Sequence, residues 1–224
     1  MAESYPGGKG GAGTYQKIIN NMPPHKTYIE AFVGGGSVFK KKRSSDTTIL
    51  IDADSSVIAE WNNSGLPAAV NTVCGDAISF LKNYQWQGDE LVYCDPPYVL
   101  SSRTGGELYD HEFTDEQHIE LLDVLNQLPC NVMISGYHSK LYATRLKHWH
   151  LTTFGSMTRR GMALEHLWCN FPPPMELHDY RYLGDDYRER ERIKKKVTRW
   201  TAKLETMPKL ERQAIMAAIS SVQN

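Results

Sequence analysis

Leu91-Val92-Tyr93-Cys94-Asp95-Pro96-Pro97-Tyr98 decides how this chain folds. Its first half is a short apolar run of strand type. Two prolines then end the ladder abruptly, because neither has a backbone N–H to donate. They also hold the residues around them in a rigid extended turn. The run therefore predicts a strand whose end presents an acid, a carbonyl and an aromatic ring at one edge of a sheet.

Working outward, similar short runs recur at 28–32, 49–52, 72–74 and 131–135. Helical patterns separate them, at 14–21, 37–42, 55–63, 78–84, 114–128 and 140–147. Such alternation predicts βαβ units around a mostly parallel sheet. Two last strands, 150–154 and 166–171, flank a turn with Arg159, Arg160 and Gly161 and read as a terminal hairpin. Thr114 with Gln117 three residues on forms a capping box, and Ile119, Leu122 and Leu125 then carry the buried face. Phe171-Pro172-Pro173-Pro174 cannot continue a strand, which sets the edge of the main domain at residue 171. Residues 172–224 read as a helical extension, with a helix over 188–207 and a second opened by Pro208. Ile193, Val197, Trp200 and Leu204 form the stripe of the first, and Ile215, Ile219 and Val222 that of the second.

The 224 residues suffice for one sizeable α/β domain with a short appendage. No apolar run has signal-peptide or membrane-spanning length, so a cytoplasmic protein without membrane contact is expected. Cys74, Cys94, Cys130 and Cys169 are scattered without a C-x-x-C pair and are expected as buried reduced thiols. No histidine spacing suggests a metal, so no metal site is expected. His118-Ile119-Glu120 with Pro129-Cys130 fails as a zinc deaminase signature, because Met133 stands where its second cysteine belongs. Between Arg181 and Arg212, eleven Lys and Arg face six Asp and Glu, against fourteen and twenty elsewhere. This basic segment fits a polyanion contact, and equally a solvated helix laced with ion pairs.

The chemistry centres on Asp95, Pro96, Pro97 and Tyr98. Open α/β sheets bind ligands at the carboxyl ends of their strands. A carboxylate and the Pro96 carbonyl can each accept one hydrogen from an aromatic amine. Together they favour the pyramidal nitrogen that attacks a sulfonium methyl, and they stabilise its developing charge. Tyr98 would stack on the extruded base, a contact of roughly 1–3 kcal/mol. Glu30-Ala31-Phe32-Val33-Gly34-Gly35-Gly36-Ser37 runs from a strand into a helix, and its glycines permit close approach of a ligand. It is not a dinucleotide fingerprint, since Phe39 stands where the last glycine belongs. Asp52, ending the next strand, suits the two hydroxyls of a ribose. Asp76, after the third, is placed to read the amino group of the cofactor's adenine. Tyr5-Pro6-Gly7-Gly8-Lys9 is not a P-loop and by itself reads as a flexible tail.

Taken together, these segments resemble the adenine-specific DNA methyltransferases of the Dam-like D12 class, in the compact form of phage or prophage members. The matching stretches are 5–9, 30–37, 49–52, 95–98, 134–137 and 165–170, in the order in which they occur in that family. The resemblance implies a Rossmann-like fold with a seven-stranded mixed sheet. It also implies direct methyl transfer from S-adenosylmethionine to N6 of an extruded adenine in double-stranded DNA, without a metal. S-adenosylhomocysteine would be the product. Tyr5, Lys9, Glu30, Phe32, Gly34, Gly36, Ser37, Asp52, Asp76 and Asp95 become candidates for holding the cofactor, with Lys9 at its carboxylate end. Asp95 through Tyr98 would form the catalytic pocket. No obligatory protein partner is implied, so a monomer or homodimer is expected.

The chain departs from that family in one respect. About sixty residues separate Gly36 from Asp95, and core elements fill most of them, leaving no room for the family's long target-recognition insertion. Candidate DNA contacts therefore lie elsewhere: Arg103 and Tyr109 after the catalytic turn, Arg159 and Arg160 in the hairpin turn, and Arg192, Lys195 and Lys196 in the basic helix. An RNA amino-methyltransferase acting on ribosomal adenine or guanine would use the same pocket and is the alternative function. A silent DNA-binding protein on the same scaffold is a third reading, disfavoured by the intact Lys9, Asp52 and Asp95.

Overall fold

Apolar runs of five or six residues give the parallel strands, and the computed structural model describes residues 8–11, 13–99, 113–158 and 161–222. In chain order these are β1 (Thr27–Ala31), β2 (Thr47–Asp52), β3 (Val70–Cys74), β4 (Glu90–Cys94) and β5 (Asn131–Gly136). Helices α1 (Thr14–Ile19), α2 (Ser37–Lys41), α3 (Ser55–Asn62), α4 (Ala77–Asn83), α5 (Asp115–Leu125) and α6 (Lys140–Arg145) alternate with them. The hairpin β6 (His150–Thr158) and β7 (Gly161–Cys169) closes the sheet. Its strands are longer than their sequence pattern, since Met157, Met162 and Leu164 continue the pairing on an exposed face.

The seven strands lie in the order β3-β2-β1-β4-β5-β7-β6. β1 to β5 run parallel, and β7 is antiparallel to both β5 and β6. The order reverses between β1 and β4, and that switch opens a crevice outside the strand ends. Register aligns those ends, pairing Ala31 with both Ile51 and Cys94, and Cys94 with Ile134. Phe32, Asp52, Asp95 and Ser135 consequently stand along one edge.

The two faces of the sheet differ in kind. Ile29, Ala31, Ile51, Val92, Cys94, Val132 and Ile134 face a core completed by Leu81, Leu121, Leu122 and Tyr142. Each such side chain, fully buried, contributes about 1.5–3 kcal/mol. The alternate positions carry Tyr28, Glu30, Tyr93, Ser135 and Glu165, all buried as well. A polar file across β1, β4, β5 and β7 requires hydrogen-bond partners to exist at all.

The capping box of α5 forms as expected: Gln117 N–H donates to Thr114 Oγ1 (3.2 Å) and Thr114 N–H to Gln117 Oε1 (2.9 Å). Its buried face is His118, Leu121, Leu122 and Leu125, whereas Ile119 is half-exposed, because the helix turns its stripe one position further back than the apolar residues suggest. Cys94, Cys130 and Cys169 are buried free thiols, but Cys74 is exposed, because it lies at the end of a strand with only partial cover.

Two compact units result, Met1–Tyr180 and Arg181–Asn224. The first takes in the stretch after the proline run, where His178 N–H donates to the Met22 carbonyl (2.9 Å) and Asp179 accepts the Arg43 N–H (2.9 Å). The second consists of α7 (Tyr187–Thr206) and α8 (Lys209–Val222), and α7 has no buried residue. Its stripe stands largely in solvent, with Val197 59 % and Trp200 48 % exposed.

Candidate active site

Asp95 leaves β4 at the crevice, and its carboxylate is gripped from two sides. Lys9 Nζ donates to Asp95 Oδ1 (2.6 Å) and Oδ2 (2.8 Å), and the Ser135 hydroxyl donates to Oδ1 (3.0 Å). Ser135 in turn lies 2.9 Å from the Tyr93 hydroxyl. Lys9 also donates to the Tyr98 hydroxyl, and that hydroxyl donates to Glu165 Oε2 (2.9 Å). The ammonium stands 4.8 Å from the centre of the Tyr98 ring, and the Tyr137 ring meets Tyr98 edge-on at 4.5 Å. Lys9 and Glu165 are each only 4 % exposed, so their charges meet little water.

Burial pushes the Glu165 carboxyl up, against the pull of Lys9, and it pushes the Tyr98 hydroxyl well up, helped by Asp95 and Glu165. Tyr98 therefore remains a neutral phenol that donates. Behind Asp95, the Cys94 thiol is raised by burial and by Asp95, so it stays protonated and is no nucleophile. Glu30 accepts the Tyr28 hydroxyl (2.7 Å), and burial is the main reason its carboxyl rises to about 7.

The glycine loop is braced on the neighbouring strand. Phe32 turns the chain at φ +62°, a conformation worth about 1–3 kcal/mol of strain in a residue other than glycine. Its ring meets Phe113 edge-on at 5.3 Å. Gly34 N–H donates to Asp52 Oδ2 (2.8 Å), Asp54 N–H donates to Oδ1 (3.0 Å), and the Trp61 indole donates to the Gly34 carbonyl (3.0 Å). Only glycine fits at 36, where a Cβ would come within 2.3 Å of the Trp61 ring. Asp52 is thereby oriented at the strand edge before any ligand arrives.

Residues 67–159 match the model of the D12 class N6 adenine-specific DNA methyltransferase family. This D12 match contains Asp95-Pro96-Pro97-Tyr98 and agrees with the resemblance that the motifs carry. The chain has no significant match among curated proteins. Among solved structures it is similar to the N-methyltransferase NodS from Bradyrhizobium japonicum, at 8 % identity and TM-score 0.50, covering 70 % of this chain and 93 % of that one. TrmK from M. capricolum, solved with S-adenosyl-homocysteine, has 10 % identity and TM-score 0.46, with 93 % of each chain covered. A putative methylase from Haemophilus influenzae has 16 % identity and TM-score 0.46, covering 70 % and 91 %. The fold is the Rossmann-like methyltransferase fold with its seven-stranded mixed sheet.

Within this D12-like frame, the structure brings together Lys9, Asp95 and Tyr98, and it lines Phe32, Gly34, Gly36, Ser37 and Asp52 along the adjoining loop. Glu30 lies one layer below, beneath the sheet edge. Asp76 is exposed and caps α4 by accepting Ser79 N–H (2.7 Å). Arg192, Lys195 and Lys196 are exposed on α7, in the second unit. Tyr5, Arg103, Tyr109, Arg159 and Arg160 lie outside the described residues. Sequence reading assigned no role to Ser135, Tyr137 or Glu165. They lie within the matching stretches 134–137 and 165–170, and what sets Ser135 and Glu165 apart there is a polar residue at an inward strand position, which the register fixes. Among the described residues no group of histidine, cysteine or acidic side chains could hold a metal ion, and no helix is long and apolar enough to cross a membrane.

Proposed function

We propose that this protein is a DNA adenine methyltransferase that uses S-adenosylmethionine to modify the N6 amino group. One observation carries the reading: an acid held at the strand edge by Lys9 and Ser135, followed at once by the Pro96 carbonyl and the Tyr98 ring, within a stretch that matches the D12 class.

The crevice fits the cofactor by the chemistry of its donors and acceptors. Asp52 is pre-oriented by two backbone N–H groups, and a carboxylate oxygen accepts more than one hydrogen bond, so ribose hydroxyls suit it. Phe32, Gly34, Gly36 and Ser37 offer a backbone surface for close approach, Asp76 stands at the end of β3 for the adenine, and Lys9 supplies a cation for the carboxylate end. Bound there, S-adenosylmethionine supplies a sulfonium methyl that is passed directly to the amine.

The chain's own part is to prepare that amine. Adenine must first leave the duplex, at an unstacking cost of a few kcal/mol. Its ring then rests on Tyr98 while Asp95 and the Pro96 carbonyl each take one N6 hydrogen. That pairing localises the nitrogen lone pair and stabilises the positive charge it acquires. Lys9 occupies part of this space in the structure, over the Tyr98 ring, so it withdraws as the pocket fills. Double-stranded DNA is the substrate we assign, gripped through the phosphates by basic residues such as Arg192, Lys195 and Lys196.

The deciding experiment supplies purified protein and labelled cofactor with duplex DNA and, separately, with unmodified ribosomal RNA. Digested products are then resolved by mass spectrometry. N6-methyladenine in the DNA arm is the expected result. Methyl groups in the RNA arm alone would transfer the reading to RNA, and none in either would end it.

A further inference from the structure

The site holds two acids, the half-buried Asp95 and the buried Glu165, and one cation, and the second acid has no place in the chemistry above. Lys9 satisfies Asp95 directly and reaches Glu165 through the Tyr98 hydroxyl. The cluster carries net charge −1 as long as Lys9 stays. Around it stand the uncharged Tyr93 from β4 and Tyr137 after β5, and beside Asp95 the buried Glu30 of β1, whose carboxyl is pushed up to about 7 chiefly by burial and also by Asp95. Among the described residues no second cation faces Glu165.

Moving Lys9 toward the carboxylate end of a bound cofactor, a step that rests on the function proposed above, would leave two like charges around Tyr98. Two carboxylates in such a site do not both stay ionised without a cation. Asp95 keeps its serine donor, and its side chain is 19 % exposed, so it tolerates charge better. Glu165 is the more deeply buried, and burial already raises its carboxyl.

We propose that Glu165 is a positioning residue of this site and takes up one proton when Lys9 leaves. Ionised, it accepts the Tyr98 hydroxyl and fixes the ring while Lys9 is held at Asp95. Protonated by solvent, it becomes a donor to the Tyr98 oxygen, so the ring keeps its place after the ammonium has gone. No bond other than O–H is made, and the proton comes from the buffer.

Two measurements test this on the full chain. The first needs no ligand: with Glu30→Gln as the common background, so that its own raised carboxyl does not contribute, infrared difference spectroscopy of Lys9→Met near neutral pH should show a protonated carboxyl band that is absent from the parent and from Lys9→Met/Glu165→Gln. A band that persists in the double variant, or no band in Lys9→Met, overturns the proposal. In the second, S-adenosylhomocysteine is titrated calorimetrically in two buffers of different ionisation enthalpy. Wild type should take up close to one proton per ligand, and affinity should fall up to about tenfold per pH unit above the titration. Glu165→Gln, nearly isosteric and able to hydrogen-bond Tyr98, should bind without uptake. Equal uptake in that variant overturns the proposal. Failure of wild type to bind S-adenosylhomocysteine would instead overturn the methyl-donor reading, and the infrared result would still decide the role of Glu165.

Discussion

Two charged regions of the molecule, the corner around Asp95 and the helix α7, handle their charge in opposite ways. At the corner, few ionisable groups are present, and every one is tied: Lys9 to Asp95 and Tyr98, Tyr98 to Glu165, Ser135 to Asp95. On α7 there are many, all in water, and a pair such as Arg192 with Glu189 (3.2 Å) is exposed on both sides. Exposed pairs of that kind contribute about 0–1 kcal/mol each, whereas desolvated partners cannot be removed singly without large loss. Charge at the corner specifies geometry. Charge on α7 supplies a field.

The sharpest way to break that contrast is at Asp95. Asp95→Ala removes the acceptor for the amine and the anchor of Lys9 together. Turnover should drop by at least about 10³-fold in a methyl-transfer assay, while circular dichroism stays native, since β4 is held by its apolar face. A loss of tenfold or less would mean that the corner is structural.

Next comes the polar file beneath it. Glu30 has a folded pKa near 7 against an ordinary value of 4.5, and burial is the main cause. A raised folded pKa means the protonated form is the one folding favours. That stabilisation is fully present below about pH 4.5 and is lost as pH rises through 7, a span of roughly 3 kcal/mol. Glu30→Gln should therefore flatten the urea-unfolding profile over that window and leave the variant more stable than wild type at pH 8. An unchanged slope would show that Glu30 ionises in the folded protein at its ordinary value.

These two residues also show what a sequence discloses. Asp95 was legible because prolines write its backbone: a strand followed by two residues without N–H groups has few conformations, and the acid beside them inherits a fixed direction. The mostly parallel sheet followed from βα alternation, and the capping box of α5 from its Thr114 and Gln117 pair. Glu165 and Ser135 fell within matching stretches, but their individual roles were not legible, because these come from the register of β5 against β7, a long-range property. His118, set aside as a zinc ligand, has its ring buried on the core face of α5 with Nδ1 3.0 Å from the Tyr142 hydroxyl, a polar residue within a stripe that apolar residues alone did not outline. The exposure of the α7 stripe was beyond reach altogether, since an apolar stripe states a preference for cover without naming what covers it.

A smaller effect separates the ring of Tyr98 from its hydroxyl. Tyr98→Phe keeps the face on which a base would stack but releases Lys9 and Glu165 from their shared partner. A hydrogen bond to a charged group is worth about 1.5–3 kcal/mol, which sets the loss in turnover at roughly ten- to a hundredfold, with the Michaelis constant for DNA little changed. Tyr98→Ala should raise that constant as well. Equal behaviour of the two variants would deny the ring any part in holding the base.

The smallest effects belong to α7, and there stability and binding should part company. Trp200→Ala alters a side chain already 48 % exposed, so thermal unfolding of the chain should move by no more than about 0.5 kcal/mol. Reversing Arg192, Lys195 and Lys196 to Glu should leave unfolding equally untouched. It should nevertheless flatten the dependence of duplex-DNA affinity on salt, by close to one unit of logarithmic slope for each phosphate that is no longer neutralised. The comparison with the corner is then complete in a single pair of measurements. If the reversed helix binds DNA with the original slope, its cations are merely solvated, and the grip on the substrate must be sought on the catalytic unit itself.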